Sequence, residues 1–243
     1  MGGGILLEAS GISRSFGGLK AVSNLSFAVH DNEILGLIGP NGAGKSTTFN
    51  LISGYYRPHA GKLTFAGRDI TGLKPSKIGR LGLVRTFQHH SLLAELSVHE
   101  NILTGAYMFV RDAAEREQRI RETAELVGLT SHMDELAKNL PHGHQRLLSI
   151  AIAFASRPKL LCLDEPLTGL NGAEINNALS VIRRIRDDFG TTILLVDHNM
   201  RAVMKTCGRI VVLNFGEKLA EGSPEDVSRN PEVIRAYLGG GTA

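Results

Sequence analysis

Residues 34–47 read ILGLIGPNGAGKST: an apolar run, a glycine-rich turn, then Lys-Ser-Thr. Residues 39–47 match the pattern GxxxxGK[ST], and the apolar run before them is typical of a short buried strand. Glycines in this pattern let the backbone wrap closely around a ligand with its N–H groups pointing inward. Those donors and the N-terminus of the following helix stabilise the negative charge of phosphate. The stretch therefore predicts a nucleotide-phosphate loop in an α/β fold.

Two side chains of this phosphate loop have separate predicted roles. Lys45 is expected to reach the β- and γ-phosphates of a nucleotide. The Ser46 hydroxyl is expected to bind Mg²⁺. The predicted nucleotide-binding residues of the loop are Gly39, Asn41, Gly42, Ala43, Gly44, Lys45, Ser46 and Thr47.

A second stretch, residues 160–166, reads LLCLDEP and places two carboxylates directly after an apolar strand. The carboxyl ends of parallel strands meet at one edge of a sheet, so both carboxylates are expected beside the phosphate loop. Asp164 is predicted to hold Mg²⁺ through its water shell. Glu165 is predicted to polarise the attacking water as a general base. A lone Asp-Glu pair after an apolar run often only caps a helix, and the phosphate loop makes the catalytic interpretation the stronger one.

Three single residues acquire predicted roles from this pair of stretches. Gln88 closes the predicted strand 83–87 and is expected to sense the metal and the water. His198 follows the predicted strand 192–196 and is expected to hydrogen-bond the γ-phosphate. Phe16, in the sequence RSFGG, is expected to stack on the base. Taken alone, each of these residues is more often a capping or core residue.

The order of predicted elements indicates an α/β protein of one domain, residues 1–243. Residues 1–88 are rich in short alternating strands, and residues 156–243 alternate strand and helix before a closing hairpin at Ile210–Leu213 and Lys218–Ala220. These two parts are expected to form the nucleotide-binding core with an N-terminal antiparallel β subdomain. Residues 89–155 contain two predicted helices, 98–107 and 112–127, and are expected to form an inserted helical subdomain.

Composition excludes several classes of protein. A net charge of +3 and 5% aromatic residues give no electrostatic or stacking surface for nucleic acid, so no nucleic-acid partner is expected. Apolar runs are far shorter than the roughly 20 residues that span a bilayer, and no export signal is visible. Cys162 and Cys207 both lie in apolar stretches, which favours reduced core residues in a cytosolic protein.

Together these motifs resemble those of an ABC transporter ATPase subunit. The likeness covers nearly the whole chain, with the motifs in the family's order and spacing. The stretches VRTFQ (84–88), TGLN (168–171), AEGSPE (220–225) and NPEVIRAYL (230–238) further resemble ATP-binding subunits for branched-chain amino acid uptake. The resemblance implies a P-loop NTPase core and the cofactors ATP and Mg²⁺. The residues that carry it are Phe16, Gly39 to Thr47, Gln88, Leu140 to Arg146, Leu160 to Glu165, Thr168 to Asn171 and His198.

The resemblance also implies how such a protein works. Two ATPase subunits enclose two ATP molecules head to tail, and each site is completed by a segment of the form LSGGQ from the other subunit. The second subunit is either a copy of this chain or a related ATPase. Closing and opening of the pair drives membrane-spanning permease subunits, which receive solute from an external solute-binding protein. The chain is therefore expected to lie at the cytoplasmic face of the inner membrane as a peripheral subunit.

Residues 140–146, LPHGHQR, occupy the position of that segment and are called the signature segment below. Its expected task is to aim a helix N-terminus at the nucleotide of the partner subunit, with Pro141, His142, Gly143 and His144 as contacts in trans. Proline suits a first helical turn, and Gly143 permits close approach of the backbone. Pro141 replaces a serine donor, however, and loss of one such donor costs roughly two to three orders of magnitude in rate elsewhere.

Other interpretations are weighed on specific residues. A degenerate regulatory subunit of a mixed dimer would explain Pro141, but the retained Glu165 and His198 argue against it. An ABC-type ATPase of DNA repair would need a long heptad-patterned insertion, which residues 89–155 lack. A GTP-binding switch would need an NKxD motif, and none is present. His142 and His144 have no third ligand at metal-binding spacing.

One further expectation concerns the permease. Residues 89–96, with Leu92, Leu93 and Leu96, are expected to help form the dock for a permease helix. The alternative is that these leucines belong to the core of the helical insertion.

Overall fold

The computed structural model of the protein describes residues 3–86 and 92–238. These residues form ten strands and nine α-helices, with two short 3-10 turns at Thr130–His132 and Ala137–Asn139. The strands are β1 Ile5–Phe16, β2 Leu19–His30, β3 Ile34–Ile38, β4 Ala60–Phe65, β5 Arg68–Asp69, β6 Leu83–Arg85, β7 Leu160–Asp164, β8 Thr192–Val196, β9 Arg209–Asn214 and β10 Glu217–Gly222.

The helices follow in the same numbering. They are α1 Lys45–Ile52, α2 Pro75–Arg80, α3 Val98–Ala106, α4 Ala113–Val127, α5 His142–Phe154, α6 Gly172–Phe189, α7 Met200–Thr206, α8 Pro224–Arg229 and α9 Pro231–Leu238.

A four-stranded antiparallel sheet is built from the N-terminal part of the chain, in the order β2-β1-β4-β5. Its two long strands alternate buried and exposed side chains, because one face packs on the core and the other faces solvent. The predicted N-terminal antiparallel β region is therefore confirmed. The strands are longer than predicted, since β1 continues to Phe16 at the edge of the candidate site.

A six-stranded sheet carries the phosphate loop, in the order β10-β9-β3-β8-β7-β6. β3 lies between β9 and β8 and runs parallel to both, and β7 runs parallel to β8 and β6. Only β10 is antiparallel to its neighbour within this sheet, which confirms the closing hairpin. Parallel strands place their carboxyl ends at a common edge, so the residues that follow β3, β7 and β8 meet there.

The apolar strands of this sheet are buried on both faces. In β3, Ile34 and Ile38 join the core that faces helices α3 to α7, while Leu35 and Leu37 join the core shared with the antiparallel sheet and α1. Strands β7, β8 and β9 divide their side chains between the two cores in the same way. This two-sided burial explains why these strands read as continuous apolar runs rather than as alternating ones. Each fully buried aliphatic side chain contributes about 1.5–3 kcal/mol to stability.

Helices α3, α4 and α5 lie between β6 and β7 in the chain and pack on one another. α3 and α5 approach so closely that a methyl group on Gly105 would collide with the carbonyl oxygen of Ile152. The predicted helical insertion matches these three helices. The exact division of the chain at 88/89 and 155/156 stays a prediction, because the first of these boundaries lies outside the described residues.

Several element boundaries differ from the sequence prediction. β6 ends at Arg85, two residues earlier than predicted. α6 begins at Gly172 because Asn171 and Glu174 form a capping box. The short helices α8 and α9 were not predicted, although Ser223 and Asp226 form another capping box around Pro224.

Both cysteines are free and buried in the core, as predicted. Burial raises the pKa of the Cys162 and Cys207 thiols to about 12. Among residues 3–86 and 92–238, no helix has both the length and the apolar character required to cross a bilayer.

Candidate functional site

The phosphate loop leaves β3 through a backbone conformation that glycine alone adopts easily. Gly39 has φ 155°, and a methyl group there would collide with the Leu213 carbonyl oxygen of β9. Gly44 has φ 99° and caps α1 without a side chain. The first hydrogen bond of α1 runs from Thr48 N–H to the Gly44 carbonyl at 2.8 Å. The three N–H groups before it, at residues 45–47, are therefore available to phosphate oxygens.

The loop is also attached to the turn of the β9–β10 hairpin. Gly216 N–H donates to the Ala43 carbonyl at 3.0 Å, and Ser23 N–H of β2 donates to the Gly216 carbonyl at 2.9 Å. These bonds join the loop to both sheets. The position of the loop is therefore held by hydrogen bonds within the chain.

Lys45 is buried and points back over the loop. Its Nζ donates to the Gly39 carbonyl at 2.7 Å and to the Pro40 carbonyl at 3.0 Å. Burial lowers the pKa of Lys45, while the nearby Glu165 and Asp164 carboxylates oppose that shift. The ammonium is thus held by two neutral acceptors that phosphate oxygens can replace.

A cleft of about 700 Å³ gathers most of the predicted site residues. Phe16 lines one side, residues 41–47 of the phosphate loop form the floor, and Glu165 and His198 lie at the other side. The structure adds Phe215, whose side chain is 84% exposed at the tip of the β9–β10 hairpin. Among the residues that the structure describes, none of those lining the cleft belongs to the signature segment.

Phe16 is held in a partly exposed position suited to stacking. Its ring meets Tyr56 edge-on with 5.1 Å between centroids, and the Arg14 guanidinium lies 5.0 Å from its centroid. Phe16, the residue predicted to stack on the base, therefore has its ring at the rim of the cleft, where Tyr56 and Arg14 contact it.

Glu165 and His198 form a pair at the carboxyl edge of the six-stranded sheet. His198 Nε2 lies 2.8 Å from Glu165 Oε1. Glu165 has φ 51°, an uncommon conformation for a residue other than glycine, and its N–H donates to the Val196 carbonyl at 2.8 Å. The prediction placed His198 against the γ-phosphate, and the structure places it against the predicted base. Both side chains line the cleft.

Asp164 is buried and forms an ion pair with Arg85, for which no role was predicted. Arg85 NH2 lies 3.1 Å from Asp164 Oδ2, and Arg85 NH1 donates to Asn50 Oδ1 at 2.6 Å. Among residues 3–86 and 92–238, Asp164 Oδ1 is buried and has no hydrogen-bond partner. Burial raises the pKa of Asp164, and Arg85 opposes that shift. Ser46 lines the cleft, whereas Asp164 is not among its lining residues. Carboxylate and hydroxyl oxygens are the donors that Mg²⁺ prefers.

Gln88, predicted to sense metal and water, lies outside the described residues. The nearest described residue with a polar role is Thr86, whose hydroxyl accepts from the Asp164 N–H at 3.1 Å. Thr86 thus binds the backbone of Asp164 and Arg85 binds its carboxylate, so both residues link the end of β6 to Asp164.

The signature segment opens helix α5, as predicted, with a difference in detail. Pro141 is the N-cap residue rather than the first helical residue, and it makes no side-chain cap. His142 is exposed, Gly143 is buried, and the ring of His144 lies 4.8 Å from that of His132. A methyl group on Gly143 would lie 2.5 Å from Glu174 Oε1. Packing within the chain therefore requires a glycine at this position.

Comparison with known proteins decides the family. The ABC transporter family model matches residues 22–168, and a model described as branched-chain amino acid ATP-binding cassette transporter matches residues 217–243. The chain belongs to the ABC transporter family. Within the family it is an ATP-binding subunit that hydrolyses ATP, in agreement with the cleft described above.

Several named proteins are similar in sequence to this chain over almost its whole length. The high-affinity branched-chain amino acid transport ATP-binding protein LivG of Salmonella typhimurium is 43% identical over 96% of this chain and 98% of its own. The corresponding protein BraF of Pseudomonas aeruginosa is 39% identical with the same coverage. The lipopolysaccharide export system ATP-binding protein LptB of Haemophilus influenzae is 34% identical over 96% of this chain and 97% of its own.

Solved structures confirm the fold. An ATP-binding cassette of an ABC transporter in its ADP conformation superposes with a TM-score of 0.90 at 28% identity, covering 97% of this chain and 99% of that one. A nucleotide-free cassette superposes with a TM-score of 0.88 at 27% identity, covering 96% and 98%. The ABC ATPase fold predicted from the sequence is therefore correct.

Proposed function

We propose that this ABC ATPase powers the uptake of branched-chain amino acids, as a peripheral subunit at the cytoplasmic face of the inner membrane. The observation that supports this cargo is the match of residues 217–243 to the branched-chain amino acid cassette model, together with the names of LivG and BraF. The similarity to LptB, which serves lipopolysaccharide export, shows why the cargo needs its own test. The comparisons with known proteins give no support to the alternative of a regulatory subunit with little hydrolysis, for which Pro141 is the one argument.

The proposed mechanism assigns one task to each part of the cleft. The N–H groups at residues 45–47 and the Lys45 ammonium bind the β- and γ-phosphates, which neutralises charge on the transferred group. Glu165 accepts a proton from the attacking water, and His198 holds the Glu165 carboxylate in position at 2.8 Å. Asp164 and Ser46 are the residues that would hold Mg²⁺, which supplies charge neutralisation between the β- and γ-phosphates when bound. Phe16 stacks on the adenine.

The proposed assembly is a head-to-tail pair of ATPase subunits, either two copies of this chain or this chain with a related one. The described residues that line the cleft include none from 140–146, and His142 at the start of α5 is exposed. We therefore propose that the N-terminus of α5 contacts a nucleotide held by a second subunit. An α-helix N-terminus carries a partial positive charge and unpaired N–H groups, which suit a triphosphate. Pro141, His142, Gly143 and His144 would make these contacts in trans.

Replacing Pro141 by serine tests whether the variant signature segment limits the rate. Serine at the N-cap adds a hydroxyl and an N–H, so we expect the ATPase rate to rise or to stay within about twofold of the parent. Steady-state phosphate release by the purified chain measures this. A fall of about tenfold or more would contradict the role given to the N-terminus of α5.

The permease is proposed to dock in a groove of about 230 Å³ between β6, α3 and α5. Met108 and Phe109, 66% and 40% exposed, line it together with Ile152. The expected dock at residues 89–96 changes accordingly: Leu92 packs against the core and residues 89–91 lie outside the described residues, whereas Leu93 is 48% exposed and stays a candidate. Buried Asn101 fixes this segment by accepting from Leu93 N–H at 2.8 Å.

A charged residue introduced in this groove should impair binding of the permease without changing ATP hydrolysis. We expect Met108→Glu to abolish co-purification of the permease subunits with the tagged chain, because burying an unpaired carboxylate in an apolar contact is costly. ATP hydrolysis by the isolated chain should be unchanged. Ile5→Glu places a charge on another exposed apolar residue, in β1, and is the matched control that should retain the permease. Full retention by Met108→Glu would refute the dock.

The cargo is tested on the same purified complex in liposomes. Leucine, isoleucine or valine with the cognate solute-binding protein should stimulate ATP hydrolysis severalfold, and lipopolysaccharide should not. Stimulation by lipopolysaccharide alone would overturn the proposed cargo and leave the ATPase assignment intact.

A further inference from the structure

The tip of helix α5 is braced by a side chain from another helix. Glu174, at the start of α6, packs directly on Gly143: a methyl group added to Gly143 would lie 2.5 Å from Glu174 Oε1 and 2.9 Å from its Cδ. Gly143 is buried and Glu174 is partly buried. The two residues are 31 positions apart in the sequence, so this contact is created by the fold.

The same carboxylate is fixed at its other oxygen. Glu174 Oε2 accepts from the Asn171 N–H at 2.9 Å, and Asn171 Oδ1 accepts from the Ala173 and Glu174 N–H groups at 3.0 and 3.1 Å. This reciprocal capping box leaves the Glu174 side chain little rotational freedom. One oxygen therefore caps α6 while the other side of the group contacts α5.

A second contact joins the same two elements. The loop at residues 168–171 precedes α6, and its Gly169 has φ 79°. A methyl group on Gly169 would lie 2.8 Å from His142 Cε1, so the imidazole packs on the loop backbone. His142 and Gly143 are the first two residues of α5, and both contact the 168–171 loop or its cap.

The 168–171 loop is in turn attached to the catalytic pair. Thr168 N–H donates to the Glu165 carbonyl at 3.4 Å, and Leu167 N–H donates to Asp197 Oδ2 at 3.0 Å. Asp197 precedes His198, and its Oδ1 accepts from the Asn199 N–H at 2.8 Å. A continuous set of contacts thus runs from Glu165 and His198, through the loop and Glu174, to the tip of α5.

We propose that Glu174 is a positioning residue that fixes the N-terminus of α5 relative to the loop that follows Glu165. The proposal rests on the proposed function, in which this N-terminus acts on the nucleotide of a second subunit. Pro141 gives α5 no side-chain cap, and the contacts of Gly143 with Glu174 and of His142 with Gly169 come from outside the helix. Glu174 supplies that contact and ties the tip to the chain's own catalytic carboxylate.

Three substitutions distinguish the contact of Glu174 with α5 from its capping of α6. Glu174→Gln keeps both the acceptor and the length, and should retain at least half of the parent kcat. Glu174→Asp keeps the acceptor and can still close the capping box, as Asp226 does in α8, but is too short to reach Gly143. We expect Glu174→Asp and Glu174→Ala to lower kcat about tenfold and to weaken ATP-driven dimerisation. Binding of a fluorescent ATP analogue to the monomer should stay within about twofold, because its cleft does not contain Glu174.

Glu100→Ala is the matched control. Glu100 closes the capping box of α3 with Ser97 in the same way but has no contact with α5's tip among the described residues. It should lower the melting temperature about as much as Glu174→Ala while leaving kcat unchanged. Hydrolysis, monomer binding, dimerisation by gel filtration with ATP, and melting temperature are measured for each purified full chain.

The outcomes distinguish the claims. If Glu174→Asp keeps the kcat of the parent, capping of α6 alone is sufficient and the proposed positioning role of Glu174 is wrong. An equal loss of kcat in Glu100→Ala would reduce the effect to general stability and would overturn it too. If Glu174→Ala does not fold, Glu174→Asp decides. A parent chain that binds ATP without dimerising or hydrolysing it would instead count against the proposed function.

Discussion

Replacement of Glu165 by glutamine is expected to lower the rate of ATP hydrolysis by about two to four orders of magnitude, the usual contribution of a positioned general base. In the parent, His198 Nε2 lies 2.8 Å from the Glu165 carboxylate. Glutamine preserves the shape of the side chain and this contact, but it cannot accept a proton from water. ATP should still bind, so the variant should accumulate as an ATP-bound dimer. Single-turnover phosphate release and gel filtration with ATP measure the two effects.

Glu8→Gln is the control for this substitution, because Glu8 is an exposed carboxylate on β1. It should hydrolyse ATP at the parent rate. A Glu165→Gln variant that keeps more than about a third of the parent rate would remove the base from the mechanism. Loss of hydrolysis without any ATP-dependent dimer would instead contradict the head-to-tail assembly.

Lys45→Met is expected to weaken ATP binding by about 100-fold. Hydrogen bonds to charged groups contribute about 1.5–3 kcal/mol each, and Lys45 is expected to make two with the β- and γ-phosphates. The net loss lies near the lower end of their sum, because Lys45 first has to leave the Gly39 and Pro40 carbonyls that it contacts at 2.7 and 3.0 Å. Methionine keeps the length and apolar stem of the side chain. Calorimetric titration with ATP measures the affinity.

The matched control is Lys77→Met on the exposed surface of α2, which should bind ATP like the parent. The melting temperature of Lys45→Met without nucleotide should change little, since its two acceptor carbonyls lie on the loop and can be hydrated. ATP affinity within threefold of the parent would show that the loop N–H groups alone hold the phosphates.

Local patterns predicted the parts of the site that depend on local backbone geometry. The phosphate loop, the strand ending at Asp164 and the position of His198 after β8 each follow from a few consecutive residues, because strand, turn and helix start are local structures. The α8 capping box was present as Ser-Pro-Glu-Asp at residues 223–226 and would have predicted that helix.

Contacts between distant segments could not be predicted in this way. Arg85 pairs with Asp164 across 79 positions, and Glu174 packs on Gly143 from another helix. No spacing rule links such residues, since only the packing of β6 beside β7 and of α6 beside α5 brings them together. The roles assigned to individual site residues remain predictions for the experiments above.

The attachment of the β9–β10 hairpin to the phosphate loop has a consequence for chimeric proteins. The Gly216 N–H donates a hydrogen bond to the Ala43 carbonyl, and the Gly216 carbonyl accepts one from the Ser23 N–H. Exchanging the last quarter of the chain with that of a relative would therefore replace one wall of the nucleotide pocket along with any preference for a transport complex. A change in nucleotide affinity of such a hybrid would therefore reflect the altered pocket and would not by itself show a change in cargo.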